Sequence, residues 1–175
     1  MIKTPKIFLK IIFLLLWSSQ AFGAQQIQEV NYFASLRSNE TNVRSGPGAN
    51  YPIKFSFKLR NIPIKVVSEY DNWCEIEDYE GTKGWIMQSL ITKKRHVMTY
   101  SKKKIIQMYS KKDATSRVIF HLENFVISEY LDCEDLWCHV KINDKKGWVL
   151  ARDLFGSTQD IANISTKKDH ENIKI

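Results

Sequence analysis

The chain contains a repeat, and that restricts its fold more than any other feature. The stretch FSFKLRNIPI (55–64) aligns with VIFHLENFVI (118–127) at an offset of 63, pairing Leu59 with Leu122, Asn61 with Asn124 and Ile64 with Ile127. Further on, Trp73-Cys74 aligns with Trp137-Cys138 at an offset of 64, and TKGWIM (82–87) with KKGWVL (145–150) at 63. Leu90 then meets Leu154. Trp-Cys and Gly-Trp recurring in one order mark two copies of one structural unit. The one-residue slips fall in Asp-, Asn- and Gly-rich spots, where turns absorb them.

Each copy reads as all-β. Phe55, Phe57 and Leu59 alternate with Lys54, Ser56 and Lys58, and Val118, Phe120 and Leu122 alternate likewise. A period of two marks a half-buried strand. The runs IPIKVVSEY, WCEIEDY and KGWIM follow, separated by turns at Asp71-Asn72 and Glu80-Gly81. Short strands with tight turns in about 55 residues predict a small barrel. The expected organisation is a leader over 1–23, a first module over 36–92, a joining segment over 93–104, a second module over 105–155 and a polar tail over 156–175. HVMTY inside the joining segment has β character and is expected to pair with a module edge. No amphipathic helix is expected, only a single turn at Gln88–Leu90.

The leader has the layout of a secretory signal peptide: Lys3, Lys6 and Lys10, then an apolar run Ile11–Trp17, then small residues. Cleavage after Gly23 or after Ala21 fits. The run is shorter than the roughly 20 residues that span a bilayer, so no membrane span is expected after cleavage. Of 26 Lys and Arg against 19 Asp and Glu, cleavage removes three Lys. The mild positive balance that remains suits anionic polymers or surfaces, and nucleic acid is not an expected partner.

NVRSGPGANYPI, then DNWCEI, then EGTKGWI followed by Leu90, resembles the bacterial SH3-like (SH3b) family, in particular the tandem type exported by alphaproteobacteria. The likeness covers both modules. It implies two SH3-like barrels and a binding role at the cell envelope, often toward peptidoglycan or its peptides. The second copy departs from the pattern: QMYSKKDATS has no Gly or Pro where the first has RSGPGANYP.

The Gly- and Pro-rich loop is not a phosphate cradle. A P-loop needs Lys and Ser/Thr after its last Gly, at a helix start. Here Ala49-Asn50-Tyr51-Pro52 follow Gly48, and then a strand. Gly46 and Gly48 are expected to turn the chain by taking positive φ. The loop is either a plain turn or one wall of a ligand groove, with Arg44 and Tyr51 at its ends. Alternation puts Cys74 and Ile76 on the core face and Trp73, Glu75 and Glu77 on the other, with Cys138 and Val140 against Trp137, His139 and Lys141 in the second copy. Trp73 and Trp137 are therefore candidate contact residues; the alternative is that they cap the barrel ends or pack the modules together. Trp85 and Trp148 read as packing residues.

Cys133 and Cys138 flank a short turn and form the expected disulfide, with two reduced thiols as the alternative. Cys74, opposite Tyr70, is expected to be a buried thiol. The four His are scattered without ligand spacing, so neither a metal nor another cofactor is expected. Cys138 and His139 point to opposite faces and cannot form a dyad. The chain reads as a non-enzyme, in the periplasm or secreted, whose partner is peptidoglycan or an envelope protein; an adaptor and an effector of host components are the alternatives. No oligomeric state follows from the sequence.

Overall fold

The computed structural model describes residues 26–157. The expected leader, and the expected tail from 158 onward, lie outside them.

The fold is all-β, with two antiparallel seven-stranded sheets. The first holds β1 (Gln28–Leu36), β2 (Thr41–Arg44), β3 (Ile53–Phe57), β4 (Pro63–Tyr70), β5 (Trp73–Glu77), β6 (Lys83–Met87) and β7 (Ile91–Thr92). The second holds β8 (His96–Thr99), β9 (Ile106–Tyr109), β10 (Val118–Leu122), β11 (Ile127–Glu134), β12 (Trp137–Ile142), β13 (Lys145–Leu150) and β14 (Leu154–Phe155). Single 3-10 turns at Gln88–Leu90 and Ala151–Asp153 precede the last strand of each. The strand orders are β3-β2-β6-β5-β4-β1-β7 and β10-β9-β13-β12-β11-β8-β14. Adding seven to each label converts the first into the second, so the repeat is one of topology as well as of letters.

Each sheet encloses its own core. Leu36, Val43, Ile64, Val66, Cys74, Ile76 and Ile86 fill the first, and Val97, Ile106, Met108, Cys138, Val140 and Val149 the second. The alternation in β5 and β12 sends Cys74, Ile76, Cys138 and Val140 inward as full burial requires. Burying each such aliphatic side chain stabilises by about 1.5–3 kcal/mol.

Two strands lie outside the expected modules. β1 begins eight residues before position 36 and runs antiparallel to β4 and β7. β8, from the HVMTY stretch of the joining segment expected to pair with a module edge, pairs with β11 and β14 and takes the place in the second sheet that β1 takes in the first. Tyr32-Phe33 of β1 has no aromatic counterpart in β8, so an alignment built on Trp-Cys and Gly-Trp stops before reaching either strand.

The two barrels meet along a seam. Ser35 Oγ on β1 accepts a hydrogen bond from the His96 amide at 2.9 Å and lies 3.2 Å from His96 Nδ1. Phe33 and Phe155 meet edge to face at 5.5 Å. Arg95, 6.0 Å over the Phe33 ring of the first sheet, also lies over the Tyr130 ring of the second at 4.0 Å and donates to the Gly156 carbonyl. Tyr79, from the β5–β6 turn, packs at 5.1 Å on Tyr100 and at 5.4 Å on Phe125.

Candidate functional site

The loop between β2 and β3 is closed by the Ser45 amide donating to the Pro52 carbonyl at 3.0 Å. Arg44, the last residue of β2, reaches across its mouth, and Nη1 donates to the Tyr51 carbonyl at 2.7 Å. Neither Gly46 nor Gly48 has positive φ. The expected reason for these glycines is therefore corrected: they make room for a ring. A Cβ on Gly46 would sit 2.4 Å from Tyr51 Cδ1, and one on Gly48 3.2 Å from Cδ2. The Tyr51 ring lies on the bare backbone of the loop and remains 47% exposed. Arg44 and Tyr51 are thus brought together, as ends of one clamped loop.

Trp73 is placed differently from expectation. It occupies the face away from the core, yet it is only 8% exposed. Directly opposite cross-strand residues share a face, and the residues opposite Trp73 are Tyr70 on β4 and Met87 on β6. Trp73 belongs to a covered layer and presents no open ring. Trp85, 7% exposed, lies between Arg44 on β2 and Glu75 on β5.

The equivalent face of the second barrel carries four rings. Trp148 is opposite Tyr109 on one side and His139 on the other. The His139 ring stacks on Trp148 at 4.6 Å and 10°. Tyr109 meets Trp137 edge to face at 5.5 Å, and Lys112 lies 5.9 Å over Trp148. Trp137 is partly exposed. Sequence alternation places Trp137 and His139 on one face but does not bring in Tyr109, whose alternation with buried Met108 was the available signal.

The disulfide Cys133–Cys138 is present, joining directly opposite residues of β11 and β12. It occupies Cys138 and leaves no nucleophile beside His139. Cys74 is a buried free thiol, pushed up to about 11 chiefly by burial. The residue opposite it is Glu69, not Tyr70. Tyr32 on β1 donates to Glu69 Oε1 at 2.6 Å, and burial followed by that bond raises the Tyr32 phenol. Among the described residues no cluster of His, Cys, Asp and Glu could hold a metal ion. Nor does any helix there have the length and apolarity to cross a membrane.

The bacterial SH3 domain model matches the sequence twice, over residues 37–93 and 102–156. The chain belongs to the bacterial SH3 domain family. A curated relative, a putative N-acetylmuramoyl-L-alanine amidase (YrvJ) from Bacillus subtilis, is 27% identical over 125 residues. The match takes in 66% of this chain and 24% of that protein, so the chain spans about a quarter of the amidase. Among solved structures, NlpC2 from Trichomonas vaginalis aligns over 80% of this chain and 57% of its own, with 12% identity and a TM-score of 0.33. An NlpC/P60 family protein from Bacillus cereus aligns over 74% and 58%, with 13% identity and a TM-score of 0.32. The two matched SH3 domains take up most of the described chain, and each has one of the two faces described above.

Proposed function

We propose that this protein is an exported, non-catalytic binding protein of the cell envelope, periplasmic or secreted, whose ligand is peptidoglycan or its peptides. The observation that carries this reading is the first-barrel loop. Its backbone is stripped to glycine under Tyr51, and Arg44 ties the ring's residue to the sheet. That arrangement holds an exposed aromatic ring and a guanidinium side by side with little freedom left to lose on binding. The resemblance to a putative N-acetylmuramoyl-L-alanine amidase supports the choice of polymer. The disulfide suits an oxidising compartment. Trp137, partly exposed and backed by the buried Tyr109 ring, is the candidate contact residue of the second barrel.

Sedimentation with isolated sacculi tests the reading. The purified protein is expected to pellet with them, and Tyr51→Ala is expected to abolish pelleting without loss of fold. Absence of pelleting at low salt would refute it, and pelleting lost only on raising salt would reduce it to loose charge attraction. A second reading, a protein adaptor, draws on Phe125, which is 56% exposed beside exposed Tyr100. Phe125→Asn lowering capture of an envelope protein while leaving sacculus binding intact would favour that role.

A further inference from the structure

A groove of about 370 Å³ runs along the seam, walled by both barrels. Neither barrel forms it alone. The first contributes Arg60 and Asn61 from the turn before β4; the second contributes Lys141 from β12 and Asn143 from the turn after it. Asn61 and Asn143 both have positive φ, at 65° and 52°. Asn tolerates this conformation better than most residues do. Both side chains lie on turn backbone that fixes them at the groove edge.

The charges in the groove do not cancel. Its acid, Glu129, is already taken by Lys94 at 3.1 Å, and that ammonium holds its carboxyl below the usual range. His96 in the wall is kept toward its neutral form, first by burial and then by Lys94. Lys141, directly opposite Glu129, also helps hold that carboxyl down, so three cations, Lys94, Lys141 and Arg60, face one acid, and Arg60 forms no ion pair among the described residues. The side chains of Asn61 and Asn143 likewise have no hydrogen-bond partner there. Leu59, 53% exposed, and Ile142 supply apolar surface beside them.

An excess of cations, two unengaged amides and a short apolar strip match one ligand chemistry. We infer that the groove between the barrels binds a peptide bearing carboxylate groups. Arg60 and Lys141 receive a carboxylate, the guanidinium through paired N–H donors. Asn61 and Asn143 exchange hydrogen bonds with the peptide backbone, and Leu59 and Ile142 take an aliphatic side chain. The groove is separate from the Tyr51 loop, so failure of sacculus binding at that loop leaves this inference standing.

The test is an amide-resolved NMR titration of the full protein at low salt with acetyl-Ala-Glu-Ala-Ala, which carries two carboxylates. Its neutral counterpart is acetyl-Ala-Gln-Ala-Ala-amide. Shifts are expected at Asn61, Asn143 and their neighbours. Affinity is expected to fall at least tenfold for the neutral peptide and for the Arg60→Gln/Lys141→Gln variant. Lys102→Gln/Lys111→Gln removes the same charge elsewhere and is expected to leave affinity within about twofold. Both pairs lie at the surface, and the variants' own spectra report their fold. Absence of shifts in the groove, equal binding of the neutral peptide, or equal losses for the two double variants would each overturn the proposal.

Discussion

The loops 45–52 and 110–117 have the same length and the same closure. Ser45 donates to the Pro52 carbonyl at 3.0 Å, and Ser110 to the Arg117 carbonyl at 2.9 Å. Their interiors are built on different chemistry. The first removes side chains so that the Tyr51 ring can lie on the backbone. The second is drawn together by Asp113, whose carboxylate accepts from the Thr115 amide and hydroxyl, both at 2.8 Å. The barrel thus specifies a span and a closing bond, and leaves the contents of the loop free to diverge. One copy spends that freedom on an exposed ring, the other on local hydrogen bonds that hold the turn by itself.

The hairpin ends teach the same lesson. Cys133 and Glu69 hold equivalent places, opposite Cys138 and Cys74. In the first barrel the long β1 runs beside this end, and Tyr32 bonds Glu69. In the second, β8 has only four residues, and a disulfide closes the hairpin end instead.

The largest expected effect challenges what the copies share. Gly84 and Gly147 are equivalent, and a side chain at either collides with the strand alongside. A Cβ on Gly147 would lie 2.7 Å from the Tyr109 carbonyl oxygen, whereas one on Gly84 would meet a side chain first, Val43 Cγ1 at 2.4 Å, and the Arg44 carbonyl oxygen only at 3.0 Å. Gly147→Ala is expected to destabilise by about 3 kcal/mol and Gly84→Ala by less, read from urea unfolding. Equal costs would show that the two strand pairs yield alike.

Cys133→Ser/Cys138→Ser is expected to cost about 2 kcal/mol, the loop-closure value for so short a loop. Tyr32→Phe, which removes the corresponding bond in the first barrel, is expected to cost about 1 kcal/mol. A disulfide variant as stable as the parent would dissolve the proposed equivalence. Asp113→Ala is expected to lower the unfolding temperature slightly by calorimetry, since it frees a turn in the second loop. The same substitution logic in the first loop, Gly46→Ala, is expected to displace the Tyr51 ring and to show as altered tyrosine fluorescence.

The smallest effect is a pH slope. His96 lies in the seam, and its pKa is lowered by burial and Lys94, with Glu129 opposing. Between its folded value and the ordinary value near 6.5 the unfolded chain holds more protons. Stability is therefore expected to rise with pH through that window and to be lost as pH falls through it. Glu40, Asp113 and Glu129, all lowered by their partners, act only in the acid range below. Unfolding at pH 7.5 and 5.5 checks this, and His96→Gln is expected to flatten the difference.

The repeat, most of the strands and the disulfide could be read from the letters, because periodicity and paired landmarks are local; β1, ahead of the expected module start at 36, could not. The register could not. Thr41 and Ile106 are equivalent at an offset of 65, since Thr41 lies opposite Phe57 as Ile106 lies opposite Leu122. Asn61 corresponds to Phe125, at 64, because each donates its amide to the last core-side residue of the first strand, Leu36 or Thr99. Loops of unequal length move the offset without leaving a signature letter, whereas the bulges between Val66 and Ser68 and between Tyr130 and Asp132 sit at equivalent places and leave it at 64. That slip put Tyr70 in place of Glu69. Trp73 was misjudged for another reason: a period of two tells which face a side chain takes, not what its cross-strand neighbours lay over it.

Only Lys93, Lys94 and Arg95 separate β7 from β8, and Arg95 is itself pinned at the seam. The two barrels therefore behave as the jaws of a fixed caliper. Whatever each face grips, the distance between the grips is set by the fold rather than by a tether. A repeating polymer would be matched by the spacing of its units as well as by their chemistry.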